Sequence, residues 1–349
     1  MTNPASALPP PMPSATATLP GGPSGAPPVI ALTECSKWYG DVIGVNQVTM
    51  EIPRGITGLL GPNGAGKSTL MKLITGQLRP GRGTVHVFGE NPWRNPEVFR
   101  RVGFCPDTDS FYEDLSGLEF VRLMGRLSGF DASESQRRAA ERLERTGMAP
   151  NMKRRIRGYS KGMRQRTKLA AALMHDPELL ILDEPLNGLD PMGRIQMLDL
   201  FRQFGVEGRT VLVSSHILHE VENLTRSIAL LHHGRVLAEG RIEEVRALIE
   251  NQPLTLRISS SAPRAIGQML AGMDSVTSLQ FNAMEGAEDA FDVERNGANR
   301  KNVLVVRSSR PEAIYEALQE GVLAGRFTID ELSALDENLD AVFQYLVKE

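Results

Sequence analysis

The chain has 349 residues, a formal net charge of −3 and a hydrophobic fraction of 41%. This length suggests two domains, and the charge shows no global basic excess of the kind that favours nucleic-acid binding. No apolar run approaches the roughly 18 residues of a membrane span, and the N-terminus lacks the features of a signal peptide, so we expect no membrane crossing. The two cysteines, Cys35 and Cys105, are too few for a disulfide framework and favour a reduced, cytoplasmic setting.

The first 52 residues combine a predicted tail with two predicted strands. Residues 1–28 are mostly Pro, Ala, Ser, Thr and Gly, a composition that predicts a disordered tail. Residues 29–33 and 48–52 have the pattern of strands. Trp38 and Tyr39 lie between them, and the local pattern leaves open whether they pack in the core or stack on the base of a nucleotide.

A glycine-rich motif follows the pattern G-x-x-x-x-G-K-[ST], between a β-prone stretch and an apolar stretch with helical spacing. Its glycines let the backbone wrap around phosphate oxygens, and the following helix adds its positive dipole end. Lys67 can reach the β- and γ-phosphates, and the Ser68 hydroxyl can ligate Mg²⁺. The predicted nucleotide-phosphate site comprises Gly61, Pro62, Asn63, Gly64, Ala65, Gly66, Lys67, Ser68 and Thr69.

Residues 83–89 predict a strand and turn, and residues 102–106 a short strand broken by proline. From about residue 107 to 166 the composition becomes helical, with apolar residues at helical spacing in residues 115–127 and 133–148. We expect a mostly helical insertion there.

The stretch at residues 159–166 reads Tyr-Ser-Lys-Gly-Met-Arg-Gln-Arg and leads into an apolar helix. A serine and a glycine at the start of a helix make a second possible anion site. By the local pattern alone, the basic residues around it are better explained as a solvated basic face. They are Lys153, Arg154, Arg155, Arg157, Lys161, Arg164 and Arg166.

Two apolar stretches predict strands that end in polar residues. Residues 179–182 suit a strand buried on both faces of a parallel sheet, and Asp183 and Glu184 follow at the end where such sheets bind ligands. Asp183 could hold Mg²⁺ through water, and Glu184 could activate a water for attack. Residues 210–215 repeat the pattern, and His216 at their end could hydrogen-bond a γ-phosphate or the attacking water. A hairpin is predicted at residues 228–240.

From about residue 251 the organisation changes. Strands are predicted at residues 254–258, 276–281 and 303–307, helices at residues 264–273 and 311–319, and a final helix at residues 339–347. This order favours a small α+β sandwich, and the region contains no catalytic constellation.

Residues 29 to about 245 resemble the nucleotide-binding subunit of an ABC transporter. The resemblance implies an α/β P-loop NTPase core with a helical subdomain at about 107–166, followed by a small α+β domain at 251–349. It implies that residues 61–69 bind ATP and that Tyr39 stacks on the base. It makes Asp183 a Mg²⁺-associated residue, Glu184 the catalytic base and His216 the switch histidine, with Lys67 also acting on the phosphates.

The same resemblance implies contacts between two copies. Ser160, Lys161, Gly162 and Met163 correspond to the signature that acts on the partner's ATP, and Asp190 to a loop at the dimer interface. Two such domains, identical or not, pair head-to-tail around two ATP molecules, and hydrolysis opens them. Separate polytopic permease subunits would convert this cycle into transport, with this chain peripheral at the cytoplasmic face of the inner membrane and no nucleic acid as partner.

Three departures from the family pattern stand out, and none removes a group that the chemistry requires. Asp107 replaces the usual Gln, and its carboxylate can still serve Mg²⁺. Lys161 and Met163 replace the commonest Gly and Gln, as in exporters with separately encoded membrane subunits. Leu186 and Asn187 stand where a small hydroxyl residue is common.

The C-terminal domain also resembles a module of those exporters, with residues 332–343 similar to its terminal helix, and implies dimerisation or regulation. A rival function is a soluble ABC-type ATPase acting on ribosomes or nucleic acid, which usually has two nucleotide domains or a long coiled coil. A kinase or small GTPase would share only the phosphate loop.

Overall fold

The structure is a computed structural model that describes residues 17–18, 27–247, 254–281 and 303–334. The chain divides into two compact units, Met1–Arg241 and Ile242–Glu349. Within the described ranges, no helix is both long enough and apolar enough to span a membrane.

The first unit is built on a sheet whose described strands are β1 (Ala17–Thr18), β4 (Ile56–Leu60), β6 (Val102–Cys105), β7 (Leu179–Leu182), β8 (Thr210–Ser215), β9 (Ser227–His232) and β10 (Arg235–Arg241). They lie in the order β1-β10-β9-β4-β8-β7-β6. The strands β9, β4, β8, β7 and β6 are mutually parallel, and β10 is antiparallel to β9. All residues of β7 and β8 are buried, which confirms the predicted buried parallel strands.

The strand order explains why distant motifs meet. Because β4, β8 and β7 are parallel neighbours, their carboxyl ends lie along one edge of the sheet. The glycine-rich loop follows β4, Asp183 and Glu184 follow β7, and His216 follows β8.

A second, antiparallel sheet has the order β3-β2-β5, with β2 at Ile30–Tyr39, β3 at Val42–Ile52 and β5 at Arg82–Val87. The first two strands are longer than the sequence predicts, because they continue through Trp38 and Tyr39 to a turn at Gly40. Helix α1 (Lys67–Ile74) belongs to the core formed with these strands, with Leu70 and Met71 fully buried.

The predicted helical insertion is confirmed in its main elements, α3 (Gly117–Leu127) and α4 (Ala132–Arg145). Ser116 and Glu119 form a reciprocal cap at the start of α3, which fixes where this helix begins. Residues 106–115 form a loop instead of a helix. The other helices of this unit are α2 (Pro96–Phe99), α5 (Lys161–Ala172), α6 (Pro191–Val206) and α7 (Leu218–Glu222), with a 3₁₀ turn at Ile156–Gly158.

One part of the predicted disordered tail is ordered by pairing. Residues Ala17–Thr18 pair in parallel with Ala238 and Glu239 of β10. Edge strands such as β10 present unpaired N–H and C=O groups, which explains why a tail segment adds there. The rest of residues 1–26 lies outside the described part of the chain.

The second unit begins with α8 (Ile242–Ala247) and continues as β11 (Leu254–Ser260), α9 (Pro263–Leu270), β12 (Val276–Phe281), β13 (Val303–Ser308), α10 (Pro311–Leu323) and β14 (Ile329–Ala334). Its sheet is antiparallel in the order β12-β13-β11-β14, and residues of both α9 and α10 belong to its core. The prediction that residues 332–343 form a helix is wrong for residues 332–334, which pair with β11 as a strand. The predicted final helix at residues 339–347 lies outside the described residues.

Candidate functional site

The glycine-rich loop between β4 and α1 is held by close backbone contacts. Gly66 has φ 105°, and a Cβ there would lie 2.3 Å from the carbonyl oxygen of Gly44. Gly234, in the β9–β10 turn, donates its N–H to the carbonyl of Ala65 at 2.8 Å. Helix α1 then starts without a side-chain cap, so the N–H groups of its first turn remain available to an anion.

The ammonium of Lys67 lies inside this loop. Its Nζ donates to the carbonyl oxygens of Gly61 at 2.5 Å and Pro62 at 3.2 Å. It also lies 3.2 Å from Oε1 of Glu184, and Lys67 is only 6% exposed. The loop therefore holds a buried positive charge, balanced by a carboxylate from the end of β7, two strands away in the sheet.

Glu184 and His216 meet at the edge of the sheet. Nδ1 of His216 lies 2.9 Å from Oε2 of Glu184, whose other oxygen faces Lys67. The side chain of Glu184 is 11% exposed and that of His216 37%. The structure thus brings three predicted residues together, and a carboxylate in this position can accept a proton from a water that enters beside the imidazole.

Asp183 lies deeper than Glu184 and is 4% exposed. Its Oδ1 accepts a hydrogen bond from Oγ of Ser214 at 2.7 Å. Sequence reasoning missed Ser214, which lies in an apolar strand. A polar residue near the end of a buried strand, two positions before His216, is the signal that could have identified it.

Tyr39 lies at the tip of the β2–β3 hairpin, beside the helix that follows the phosphate loop. Its hydroxyl is 3.4 Å from Oγ1 of Thr69, and a Cβ on Gly44 would lie 2.9 Å from its ring. The ring is 47% exposed, so it packs on one side and is open on the other. This arrangement fits both interpretations of the sequence, since the open side could receive a base.

Asp107 follows β6 and is exposed, while its backbone is held from α5. Nζ of Lys168 donates to the carbonyls of Pro106 at 2.9 Å and Asp107 at 2.8 Å and lies 3.0 Å from Oδ1 of Asp109. Lys168 is 7% exposed. Sequence reasoning missed it because α5 carries several basic residues, and the sequence does not show which of them reaches the loop after β6.

The signature segment starts α5 with a cap. Ser160 accepts a hydrogen bond from the N–H of Met163 at 3.3 Å, and the serine is exposed. Within the described ranges, no hydrogen bond or ion pair joins residues 160–163 to Lys67, Glu184 or His216. Among the described residues, the start of α5 therefore makes no direct polar contact with these three side chains.

The loop before α6 contacts the signature segment. A Cβ on Gly188 would lie 2.2 Å from Cδ of Lys161, and one on Gly162 would lie 3.1 Å from Cδ2 of Leu189. Asp190 caps α6 by accepting from the N–H of Gly193 at 3.1 Å. Asp190 itself is exposed.

The basic residues around the signature differ in their roles. Arg155 and Arg157 are more than half exposed, which fits the predicted solvated face. Arg164 is 17% exposed and binds the Glu113 carboxylate with both terminal nitrogens at 2.7 and 2.8 Å. This contact holds the pKa of Glu113 below its usual value, and it fastens the 106–115 loop to α5.

Comparisons with known proteins identify the family. The ABC transporter family profile matches residues 45–187. The daunorubicin/doxorubicin resistance ATP-binding protein DrrA of Streptomyces peucetius is 38% identical over 236 residues, which cover 67% of this chain and 72% of that protein. The chain belongs to the ABC transporter ATP-binding family.

Two further matches support the same family. The bacitracin transport ATP-binding protein BcrA of Enterococcus faecalis is 39% identical over 220 residues, which cover 62% of this chain and 70% of BcrA. A solved ATP-binding subunit of an ABC transporter superimposes with a TM-score of 0.58 at 31% identity, covering 63% of this chain and 93% of that one. As a member of this family, the chain is an ATP-binding and ATP-hydrolysing subunit for transport, and the predicted P-loop NTPase fold is confirmed.

Proposed function

We propose that Lys67, Glu184 and His216 form the centre that hydrolyses ATP, and that hydrolysis powers export through separate membrane subunits. The observation that carries this proposal is the Glu184 carboxylate, held between the Lys67 ammonium at 3.2 Å and the His216 imidazole at 2.9 Å. These are the groups that phosphoryl transfer to water needs beside the phosphates.

The contacts of Lys67 suggest how ATP prepares the base. Its ammonium binds two neutral carbonyls and Oε1 of Glu184. Phosphate oxygens are stronger acceptors than neutral carbonyls, so Lys67 turns towards the β- and γ-phosphates when ATP binds. This frees Oε1 of Glu184 to accept a proton from the attacking water, while His216 orients the carboxylate through Oε2.

The residues near the loop also fit a magnesium ion. Ser68 offers a hydroxyl and Asp183 a carboxylate, which are the oxygen ligands that Mg²⁺ prefers. Among the described residues, no group of three or more His, Cys, Asp or Glu could hold an ion alone, which suits a cation that arrives with the phosphates. We propose that Ser68 and Asp183 hold it and that Asp107 contributes; bound Mg²⁺ would neutralise charge on the phosphates.

We propose that two copies, or this chain and a related one, close head-to-tail around ATP. The support is that Ser160 is exposed at the start of α5, and that residues 160–163 make no hydrogen bond or ion pair with Lys67, Glu184 or His216 in the described part of the chain. Ser160, Lys161, Gly162 and Met163 would then contact the partner's ATP, and Asp190 would lie at the interface. A γ-phosphate that both copies bind shifts the population towards the closed dimer, and its removal by hydrolysis reverses the shift.

We propose that a membrane subunit docks beside the 106–115 loop. A cleft of about 570 Å³ lies there, with apolar walls from Phe111, Leu115 and Leu123, a largely exposed ring at Tyr112 and two carboxylates. An apolar helix would fit this surface, since Glu113 and Asp114 are already paired with Arg164 and Arg157. Export is supported by the relatives named for drug resistance and bacitracin transport, and this chain would then be peripheral at the membrane.

Replacement of Glu184 by Gln tests the proposed centre of ATP hydrolysis. The amide keeps the shape but cannot accept the proton, so we expect kcat for ATP hydrolysis to fall by about 10²- to 10⁴-fold. ATP binding, measured by equilibrium titration of the full chain, should persist. Normal turnover in this variant would remove Glu184 from its role.

Co-purification tests the membrane assignment. The full chain, affinity-purified from native membranes in detergent, should bring a polytopic subunit with it. Recovery with ribosomes or nucleic acid would leave the ATPase chemistry intact and overturn the export proposal.

A further inference from the structure

Ser214 lies between the two consecutive carboxylate residues of the site. Its Oγ donates to Oδ1 of Asp183 at 2.7 Å and accepts from the backbone N–H of Glu184 at 2.8 Å. Ser214 is fully buried. One hydroxyl therefore contacts the side chain of one residue and the backbone of the next, which uses its single donor and one of its acceptor sites.

The register of the sheet explains this position. Leu182, the last residue of β7, is paired with Val213 of β8, which continues through Ser215. Ser214, the next residue of β8, therefore lies beside the point where the chain leaves β7. Glu184 has turned out of the strand, with φ 47°, and its N–H is bound by the serine hydroxyl.

The turn at Glu184 determines where its carboxylate points. A positive φ is unfavourable for a residue with a side chain and persists only when its surroundings hold it. The hydrogen bond from the Glu184 N–H to Ser214 is one such constraint, and the carboxylate that it directs meets Lys67 and His216. The same hydroxyl fixes one oxygen of Asp183.

We propose that Ser214 is a positioning residue for ATP hydrolysis, which sets the backbone turn that aims Glu184 and orients the Asp183 carboxylate. This inference rests on the proposed function of Glu184 and Asp183. Groups that orient the primary residues of a metal-assisted site typically change affinity or activity by about 10- to 100-fold when they are removed.

The test compares Ser214→Ala with Ser214→Thr in the full chain. We expect Ser214→Ala to lower kcat by about 10- to 100-fold with little change in the KM for ATP, and Ser214→Thr, which keeps the hydroxyl, to retain most of the activity. Thr210→Val is the matched control, because it removes a buried hydroxyl from the other end of β8. It should turn over ATP like the wild type.

A second readout does not depend on turnover. Hydrogen exchange of the Glu184 amide, measured without nucleotide, should be faster in Ser214→Ala and remain slow in Ser214→Thr and Thr210→Val. If Ser214→Ala does not fold, Ser214→Cys keeps nearly the same volume with a much weaker donor and acceptor, and the same losses are expected there.

The outcomes distinguish the role of Ser214 from the catalytic role of Glu184 on which it rests. Wild-type kcat in Ser214→Ala, or a fall no larger than that of Thr210→Val, overturns the role of Ser214 when Glu184→Gln is inactive. A lower kcat with unchanged exchange of the Glu184 amide overturns the role of Ser214 in the backbone turn at Glu184. If Glu184→Gln turns over normally, the proposed catalytic role of Glu184 fails instead.

Discussion

The starts of helices α1 and α5 contrast within the same unit. Helix α1 begins without a side-chain cap, beside a buried lysine that contacts Glu184. Helix α5 begins at a serine that already accepts a backbone hydrogen bond and is exposed to solvent. The start of α1 therefore has charged groups from its own chain beside it, whereas the start of α5 exposes a serine hydroxyl to solvent. A glycine at the start of a helix is therefore not enough to place charged groups beside an anion. At α1 the strand ends of the sheet supply them, and at α5 they do not.

The largest expected effect comes from Gly66→Ala, which would break the first of these two sites. Gly66 has a left-handed backbone that alanine adopts only with strain. The added Cβ would also lie 2.3 Å from the Gly44 carbonyl oxygen, so the phosphate loop must move. A displaced loop loses hydrogen bonds to the charged phosphates, each worth about 1.5 to 3 kcal/mol, so we expect ATP affinity to fall by about 10- to 100-fold. Equilibrium titration of the full chain with ATP measures this loss.

Gly162→Ala is the matching substitution at the start of α5. The added Cβ meets the flexible end of Leu189 at 3.1 Å, so a small side-chain shift accommodates it. ATP affinity of the isolated chain should remain unchanged. If both alanine variants lost ATP binding equally, the two helix starts would not differ as we describe.

The sequence predicted the elements that follow general patterns and missed those that depend on single contacts. The buried run of β7 and the polar residues after it were sufficient to predict where Glu184 lies. The strand β14 was missed because Ile329–Ala334 has little apolar alternation and forms by pairing with β11. Ser214 and Lys168 were missed because their partners, Glu184 and the 106–109 loop, are 30 and about 60 residues away along the chain.

An intermediate effect is expected from Lys168→Met, which tests how firmly α5 holds the loop after β6. The change leaves two carbonyls and a carboxylate without their cation. Loss of such a buried donor costs about 1 to 3 kcal/mol in the free energy of unfolding. Chemical denaturation measures it, with Arg157→Met as the control.

Arg157 pairs with Asp114 at 2.9 Å, but both side chains are more than half exposed. Exposed pairs contribute about 0 to 1 kcal/mol, so this variant should be the more stable of the two. Equal losses would mean that Lys168 is no more than another surface charge.

A pH-dependent effect concerns the hairpin whose Gly234 holds the phosphate loop at Ala65. Burial raises the pKa of Glu239, in β10, to about 7. Since this lies above the unfolded value of about 4.3, the stabilising contribution is full below pH 4 and is lost as the pH rises through 7. Glu239→Gln stays neutral, so its thermal midpoint should rise relative to the wild type between pH 4 and pH 8. A constant difference between the two midpoints would show that Glu239 does not titrate in this way.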